Sequence, residues 1–173
     1  MLKRDDALTF MICDTWLGWM GLVGSPYGLK RVILPHKSKK AVLDQIASSG
    51  CAAESRDTAC FGDLPDRLRR YLEGERVVFD DKPDLAGTTC FQQNVWQTVC
   101  DIPYGEIRSY GWIASQLGLP KAARAVGQAL ARNPVPIVIP CHRVIGGNGN
   151  LIGFGGGVEI KEFLLHLEQP ALD

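Results

Sequence analysis

A polar stretch at residues 80–87 separates two halves of this chain that have different hydrophobic patterns. In the first third of the chain, apolar residues occur in short runs broken by turn residues, which is typical of strands. After the polar stretch, they recur at intervals of three and four positions, which is typical of helices. A chain of 173 residues is long enough for one domain or two small ones. We therefore expect an α+β protein, with a small αβ domain containing an antiparallel sheet over 1–84 and a mostly helical domain over 88–173.

The first half is expected to contain four strands and two helices. The strands are predicted at Leu8–Cys13, Leu17–Val23, Leu29–Leu34 and Val77–Phe79. A turn signal, Gly24–Gly28, separates the second strand from the third. Ser38 is suited to cap a helix that Gly50 ends, and a second helical pattern covers residues 61–74.

The second half is expected to contain four helices and a brief strand. The helices are predicted from Thr88 or Thr89 to about Val99, over Tyr110–Leu117, over Lys121–Arg132 and over Val158–Glu168, and the strand at Ile107–Tyr110. Only Gly118-Leu119-Pro120 separates the second helix from the third, which suggests a helix-turn-helix. The same residues also suit an ordinary pair of packed helices, so spacing alone leaves both interpretations open.

The helix predicted over Lys121–Arg132 is rich in alanine and glycine. A glycine inside a helix, here Gly127, costs about 1 kcal/mol relative to alanine, so a physical reason for it is expected. One reason is close packing against another helix, and the other is close approach to a narrow surface such as a DNA groove. Arg124 is the long side chain in the middle of this small-residue face.

Residues 139–145, Ile-Pro-Cys-His-Arg-Val-Ile, place a thiol beside a possible base and a cation. The thiolate is the nucleophilic form of cysteine, and neighbouring cationic or basic groups favour it. The preceding segment, Val135–Pro140, is apolar and contains two prolines, which do not fit a central sheet strand. We interpret it as an extended, rigid support that holds Cys141 as a preorganised nucleophile.

The composition is that of a globular protein, with 46 % hydrophobic and 22 % charged residues. No apolar stretch reaches the length of a membrane span, and Met1–Asp6 does not resemble the start of a secretory signal. These features favour an intracellular, cytoplasmic protein, and nothing in the chain suggests an obligate oligomer. The net charge is zero, but residues 105–150 carry five bases and one acid. That local excess is compatible with a phosphate-bearing partner, and a solvated helix face would have the same composition.

Six cysteines fit a reducing compartment as free thiols. They stand at positions 13, 51, 60, 90, 100 and 141. Most of those other than Cys141 adjoin apolar residues and are expected to be buried, and Cys51 and Cys60 could pair on oxidation. There is no C-x-x-C pair and the three histidines are scattered, so no metal site is expected.

These motifs together resemble the O6-alkylguanine-DNA alkyltransferase family. The resemblance begins with Pro140-Cys141-His142-Arg143-Val144, which is similar to the active-site signature of that family. It extends through Tyr104-Gly105-Glu106, Ser109-Tyr110, Ala122–Gly127, Asn133–Pro136, Gly156-Gly157, Lys161 and Glu168. It covers residues 88–168, and the first half is only compatible with the family's small N-terminal domain.

The resemblance implies an α+β fold with a winged-helix-like second domain and a reaction that needs no cofactor. The family moves an alkyl group from guanine O6 in DNA to its own cysteine, and Cys141 is the implied acceptor. His142 corresponds to the base that takes the thiol proton through a water, and Glu168 to the residue that orients it. Tyr110 corresponds to the proton donor, and Asn133 to a hinge residue that ties the active-site turn together.

The resemblance also implies how double-stranded DNA is bound. The target base must leave the duplex, and Arg124 corresponds to the side chain that fills the gap. The small residues Ala123 and Gly127 would allow the helix to enter the minor groove, where such wedges unstack bases. Tyr110 and Gly111 would lie against the phosphate next to the flipped base.

The guanine pocket is implied on the same basis. The backbone carbonyls of Cys141 and Val144 would hold the exocyclic amine of guanine, and the amide of Gly155 its oxygen. We interpret the glycine-rich stretches Gly146–Asn150 and Gly153–Gly157 as pocket walls, although a flexible connector has the same composition. Phe154-Gly155 stands where many members have a tyrosine and a small residue, which puts the range of accepted alkyl groups in doubt.

Two other functions fit parts of the sequence. The first is a protein that senses alkylated DNA without repairing it, as relatives lacking the cysteine do, and the presence of Cys141 argues against it. The second is a Cys–His hydrolase, which would need an oxyanion hole and a hydrolytic water and would turn over. Repair of O4-alkylthymine is left open by the sequence.

Overall fold

The computed structural model describes residues 8–50, 53–54, 61–151 and 153–169. The chain divides into two compact units, Met1–Asp84 and Leu85–Asp173. Cys51 and Cys60 lie outside the described residues, and so does any pairing between them.

The first unit is built on a four-stranded sheet in the order β3-β2-β1-β4. The strands are β1 (Thr9–Thr15), β2 (Gly18–Ser25), β3 (Gly28–His36) and the two-residue β4 (Ala53–Glu54). The first three form antiparallel pairs, and β4 runs parallel to β1 at the edge. The three leading strands and the turn between the second and third were predicted from the sequence and are confirmed.

Helix α1 (Lys39–Ala47) covers one face of this sheet. The hydroxyl of Ser38 accepts a hydrogen bond from the amide of Ala41, as expected of a helix cap. The cluster of buried residues between helix and sheet consists of Phe10, Val23, Ile33, Val42 and Ile46. Gly21 of β2 permits this contact, since a Cβ built there would lie 2.8 Å from Cγ1 of Val42.

Helix α2 (Leu64–Leu72) follows in the first unit and agrees with the predicted helix to within its ends. The strand predicted at Val77–Phe79 is wrong, because residues 75–80 are irregular. This segment packs against helix α2 instead of pairing with a neighbouring strand. The Arg67 guanidinium donates to the carbonyl of Val78 at 3.1 Å, and the ring of Phe79 meets that of Tyr71 edge-on at 5.5 Å.

Among the described residues of the second unit there are four α-helices and a two-stranded sheet. The helices are α3 (Cys90–Cys100), α4 (Tyr110–Gln116), α5 (Ala123–Ala131) and α6 (Val158–Glu168). Thr89, not Thr88, caps α3 through a reciprocal capping box with Gln92. Helices α4 and α5 confirm the predicted helix-turn-helix, with α5 beginning at Ala123 two residues later than expected. The indole N–H of Trp96 on α3 donates to the carbonyl of Ala129 on α5 at 3.1 Å.

A short parallel pair of strands connects the helix-turn-helix to the cysteine segment. Strand β5 (Arg108–Ser109) runs directly into α4, and β6 (Val144–Ile145) follows a single 3₁₀ turn, Cys141–Arg143. Ser109 is paired with Ile145. This pairing brings the first residue of α4, Tyr110, to the same end of the unit as Cys141.

The architecture agrees with the α+β class expected from the sequence. In the parts of the chain that the structure describes, no helix is long and apolar enough to cross a membrane.

Candidate active site

A compact turn, not an extended segment, leads into Cys141. The amide of Ile139 donates to the carbonyl of Val135 at 2.9 Å, so the extended form predicted for Val135–Pro140 is wrong. Ile137 has a φ of 75°, a region that β-branched residues rarely adopt. The physical reason for the turn is burial, because the apolar side chains of this segment face the interior. The buried members are Val135, Ile137, Val138 and Ile139.

Asn133 holds this turn together and reaches the thiol. Its side-chain oxygen accepts from the amide of Val135 at 3.0 Å. Its side-chain nitrogen donates to the carbonyl of Ile139 at 2.9 Å and to Sγ of Cys141 at 3.0 Å. One amide group therefore fixes both ends of the turn and the position of the sulfur atom.

Cys141 is a buried thiol, with 7 % of its surface exposed. Burial raises its pKa to about 11, and the hydrogen bond from Asn133 and the charge of Lys161 oppose that rise. At neutral pH the thiol is therefore protonated in the resting protein. A base is needed before the sulfur can act as a nucleophile.

His142 is completely buried beside the cysteine and is joined to Glu168 on α6. Its Nε2 lies 2.9 Å from Oε1 of Glu168. Because an ionised carboxylate only accepts hydrogen bonds, Nε2 carries the hydrogen and the basic lone pair lies on the buried Nδ1. Burial lowers the pKa of His142, although Glu168 acts to raise it. A neutral imidazole can accept a proton, and the carboxylate can stabilise the imidazolium that results.

Lys161 on α6 is a buried lysine that the sequence analysis did not assign to the site. It is 1 % exposed, and its ammonium donates to the carbonyl of Val144 at 2.6 Å. It also lies 3.5 Å from the hydroxyl of Tyr110. Burial lowers the pKa of Lys161, and the negative charge that Cys141 carries when ionised raises it.

Tyr110, the first residue of α4, is half-buried next to this lysine. Burial raises the pKa of its phenol, and the charge that Cys141 acquires on ionisation raises it further. The phenol therefore stays protonated at neutral pH. A Cβ built at Gly153 would lie 3.1 Å from the Tyr110 hydroxyl, so a side chain at position 153 would crowd that group.

The residues predicted to contact DNA lie on the helix-turn-helix. Arg124 is exposed on α5, Ala123 and Gly127 are half-buried on the same helix, and Gly111 is half-buried on α4. A Cβ at Gly127 would touch the ring of Tyr110 at 3.7 Å, an ordinary contact. Packing therefore does not require glycine at this position, which favours the interpretation that the small-residue face approaches an external surface.

The two residues predicted for the guanine pocket, Val144 and Gly155, differ in their burial. Val144 is fully buried, and its carbonyl accepts from Lys161 but has a second lone pair to offer. Gly155 is exposed, and a Cβ built there would meet only the carbonyl of Ala131 at 4.0 Å. The structure thus leaves open space around position 155.

The other cysteines differ in their exposure. Cys13 is buried as expected, but Cys90 and Cys100, at the two ends of α3, are exposed, so that the expectation of burial is wrong for them. They lie at the two ends of the helix and at the surface, although each adjoins one apolar residue in sequence. Within the described ranges, no group of three or more histidine, cysteine, aspartate or glutamate side chains could hold a metal ion.

The sequence analysis missed Lys161 because it was matched only as a family position. Its spacing on α6 does carry a signal: Lys161, Leu164 and Glu168 fall on one face of the helix, and all three are buried. A charged residue in register with a buried leucine indicates a paired or functional charge.

A helix-turn-helix combined with a buried thiol, which an asparagine holds next to a histidine–glutamate pair, defines a narrow class of proteins. The profile described as 6-O-methylguanine DNA methyltransferase, DNA binding domain, matches residues 90–170. A methylated-DNA–protein-cysteine methyltransferase of Methanosarcina mazei is 44 % identical over 151 residues, which cover 87 % of this chain and 90 % of the relative. The protein of the same name from Mycobacterium tuberculosis is 53 % identical over 113 residues, covering 65 % and 68 %.

Solved structures give the same result. The crystal structure of M. tuberculosis O6-methylguanine methyltransferase superimposes with a TM-score of 0.76 at 40 % identity, covering 95 % of this chain and 96 % of that one. The M. tuberculosis OGT in complex with DNA superimposes with a TM-score of 0.75 at 41 % identity, covering 94 % and 96 %. The chain belongs to the methylated-DNA–protein-cysteine methyltransferase family.

Proposed function

We propose that this protein repairs DNA by direct reversal, transferring an alkyl group from O6 of guanine to Cys141. The observation that carries the proposal is the environment of the thiol. Cys141 is buried, and its Sγ accepts a hydrogen bond from the side-chain amide of Asn133 at 3.0 Å. The next residue, His142, is hydrogen-bonded to Glu168, with 2.9 Å between Nε2 and Oε1. The names of its relatives and the DNA complex of one of them support the same activity.

Activation of the thiol is the first step. His142 takes the Cys141 proton on Nδ1, through an intervening water, and becomes an imidazolium that Glu168 stabilises. Burial keeps His142 neutral at pH 7 and the thiol, with a pKa of about 11, protonated, so both groups start in the forms that this step needs. The transfer itself is uphill, and it depends on stabilisation of the two charges that it creates. The charge of Lys161 stabilises the thiolate and reduces the cost of forming it in a buried place.

Transfer is a displacement at the alkyl carbon. The thiolate sulfur forms a bond to that carbon, and the bond between the carbon and guanine O6 breaks with its electron pair on guanine. Tyr110 gives guanine a proton, so that it leaves as a neutral base. The raised pKa of Tyr110 keeps the phenolic proton available until this moment.

The product explains why the protein acts once. The alkylated Cys141 is a thioether, which is a poor leaving group, and no step restores the thiol. The reaction needs no cofactor, because the acceptor, base and proton donor are all side chains of the chain. Each protein molecule therefore reacts once and is consumed, so it is not a catalyst in the usual sense.

The helix-turn-helix delivers the lesion to the thiol. We assign minor-groove contact to the small-residue face of α5, insertion into the base stack to Arg124, and phosphate contact to Tyr110 and Gly111. Such wedges cost a few kcal/mol of unstacking and are repaid by contacts with the bent duplex. Sequence preference should be weak, since groove and phosphate contacts position a protein without specifying bases.

The flipped guanine would lie between the turn at Cys141 and the loop at Gly155. The carbonyls of Cys141 and Val144 hold its exocyclic amine, and the amide of Gly155 holds O6. The first unit, with residues 1–84, has a structural role in this proposal, and residues 88–173 carry DNA binding and alkyl transfer. One chain supplies every group, so the protein acts as a monomer in the compartment that holds the DNA, the cytoplasm of a prokaryote or the nucleus of a eukaryote.

The test is a mass measurement after incubation with a duplex containing O6-methylguanine. We expect the intact protein to gain one methylene and the Cys141 peptide to carry it, and we expect Cys141→Ala to gain nothing. Binding to the duplex without any gain in mass would indicate a protein that senses the lesion and does not repair it. Repeated release of product by one protein molecule would indicate the hydrolase, and methylation of the Cys141→Ala variant would refute the assignment of the acceptor.

A further inference from the structure

Arg143 makes an unusually complete set of contacts for a residue next to the proposed nucleophile. Its Nε donates to Oε2 of Glu168 at 2.8 Å and its Nη2 to Oε1 of the same carboxylate at 2.9 Å. Its remaining terminal nitrogen donates to the carbonyl of Ile102 at 2.7 Å. The guanidinium is therefore fixed at three points, two of them on one carboxylate.

The Glu168 carboxylate is saturated by these contacts. Besides the two bonds from Arg143, it accepts from Nε2 of His142 at 2.9 Å and from the amide of Gly105 at 3.2 Å. Only 1 % of the Glu168 side chain and 13 % of the Arg143 side chain are exposed. A buried carboxylate at the C-terminal end of a helix is unfavourable for both burial and dipole reasons. Arg143 is the cation that compensates for both.

We infer that Arg143 is a positioning residue for alkyl transfer: it fixes the Glu168 carboxylate that orients His142, and its charge offsets part of the Glu168 charge that would otherwise favour protonation of the buried imidazole. The inference rests on the proposed function. It assigns to Arg143 two separable effects, one of geometry and one of charge. Geometry depends on the planar fork of the guanidinium, which matches a carboxylate with two parallel bonds. Charge depends only on a cation at this place.

The balance of charges around His142 supports the second effect. Burial lowers the pKa of His142 most, Glu168 from α6 raises it, and Arg143 and Lys161 lower it. From α3, Cys100 is near the same arginine: although the residue is exposed, partial desolvation of its thiol and the charge of Asp101 raise its pKa, and Arg143 opposes them. Without Arg143, the full charge of Glu168 would act on the imidazole, which would then be protonated at a higher pH.

A protonated His142 cannot take the thiol proton, so the inference predicts a change in the pH profile. The experiment measures the single-turnover rate of the whole chain with free O6-methylguanine base from pH 5.5 to 9, which removes DNA binding from the measurement. The variants are Arg143→Met, which loses charge and fork, and Arg143→Lys, which keeps the charge alone. Arg108→Met serves as the matched control, since Arg108 pairs with the exposed Glu106 in the same unit.

We expect the rate of the wild-type protein to rise with pH as His142 loses its proton. In Arg143→Met the midpoint moves to higher pH, so that the ratio of the rates at pH 8.5 and pH 6 grows at least about threefold. In Arg143→Lys the midpoint stays near that of the wild type while the rate falls about tenfold at every pH, because one ammonium cannot replace the fork. Arg108→Met leaves both quantities unchanged.

A uniform loss of rate in Arg143→Met, with the midpoint unmoved, would reduce Arg143 to a structural residue and overturn the inference. So would a shift of the midpoint in Arg143→Lys equal to that in Arg143→Met. If Arg143→Met does not fold, Glu168→Gln tests the same balance of charges in the opposite direction. This variant removes the charge that favours the imidazolium, so the midpoint of the pH profile should fall. An unchanged or raised midpoint contradicts the inference.

An NMR titration of the His142 ring in the same variants separates this inference from the proposed function. If the wild-type protein transfers no alkyl group, the proposed function fails. The order of the His142 titration midpoints, highest in Arg143→Met and lowest in Glu168→Gln, still tests the effect of Arg143 on the imidazole. A different order overturns the inference whatever the activity.

Discussion

The side-chain amide of Asn133 lies 3.0 Å from Sγ of Cys141 and donates a hydrogen bond to it. The same nitrogen bonds the carbonyl of Ile139, and the side-chain oxygen accepts from Val135. A single residue thus stabilises the turn and lowers the cost of ionising the thiol. Substitution of Asn133 therefore tests directly how the segment before Cys141 positions the sulfur and favours its ionisation.

Replacing Asn133 with alanine should impair both roles. The pKa of the Cys141 thiol should rise because a hydrogen bond that lowers it is lost. The free energy of unfolding should fall by about 1–3 kcal/mol because buried backbone groups lose their partner. Thiol alkylation by iodoacetamide across pH and urea denaturation measure the two effects. Asn94→Ala, at an exposed position of α3, is the control and should change neither, and an Asn133→Ala protein that matched it would contradict this role.

Lys161→Met should slow alkyl transfer at neutral pH. The ammonium lowers the pKa of Cys141, so its removal leaves less thiolate at any given pH. The loss should shrink as the pH approaches the raised pKa of the thiol. Single-turnover rates with the free base between pH 7 and 10 test this. Lys121→Met, at an exposed lysine in the turn before α5, should behave like the wild type, and a pH-independent loss in Lys161→Met would argue for a purely structural lysine.

Arg124→Ala should weaken repair of a lesion in duplex DNA much more than attack on the free base. Arg124 is exposed on α5, and its proposed task exists only in a base stack. We expect a loss of at least about tenfold on the duplex, equivalent to 1.4 kcal/mol, and less than twofold on the free base. Gln128→Ala, also exposed on α5, is the matched control. Equal losses on the two substrates would count against base flipping by Arg124.

Gly127→Ala separates the two explanations for the small-residue helix. A Cβ at this position meets the Tyr110 ring at 3.7 Å, so the fold should accept it and gain up to about 1 kcal/mol from the better helix former. If α5 enters a DNA groove, the added methyl group should nevertheless weaken binding to an alkylated duplex. Thermal unfolding and a binding titration on the same preparation measure both. A less stable variant with unchanged binding would favour helix packing as the reason for glycine.

The stability of the protein should fall as the pH drops below the ordinary histidine value of 6.5. Burial lowers the pKa of folded His142, so the unfolded state binds the proton first and gains free energy from it. The contribution is complete above pH 6.5 and is lost progressively as the pH falls through that value towards the lowered pKa of the folded state. Denaturation between pH 7.5 and 5 should show a smaller loss in His142→Gln, and parallel curves for the two proteins would contradict the assignment.

The sequence came close to the fold because its local signals agree with the tertiary arrangement. The Gly24–Gly28 turn, the Ser38 cap and the Gly118–Pro120 turn act over a few residues, so that each could be recognised without knowing its neighbours in space. The strand predicted at Val77–Phe79 failed for the opposite reason. Its apolar residues fit a strand, but an arginine on α2 took the hydrogen bond that a partner strand would have needed.

The site divides in the same way. By itself the sequence determined two short helices across the turn at Gly118–Pro120, the thiol motif at 139–145 and, through the resemblance carried by several motifs, the family and with it the helix-turn-helix. Only the tertiary structure decided that Val135–Pro140 is not extended, that the amide of Asn133 also reaches Sγ of Cys141, that Arg143 shares the Glu168 carboxylate with His142, and that Lys161 lies next to both Val144 and Tyr110. These contacts join residues up to 51 positions apart. Burial sets the charge states of such groups, and burial is a property of the packed chain that neighbouring letters of the sequence do not contain.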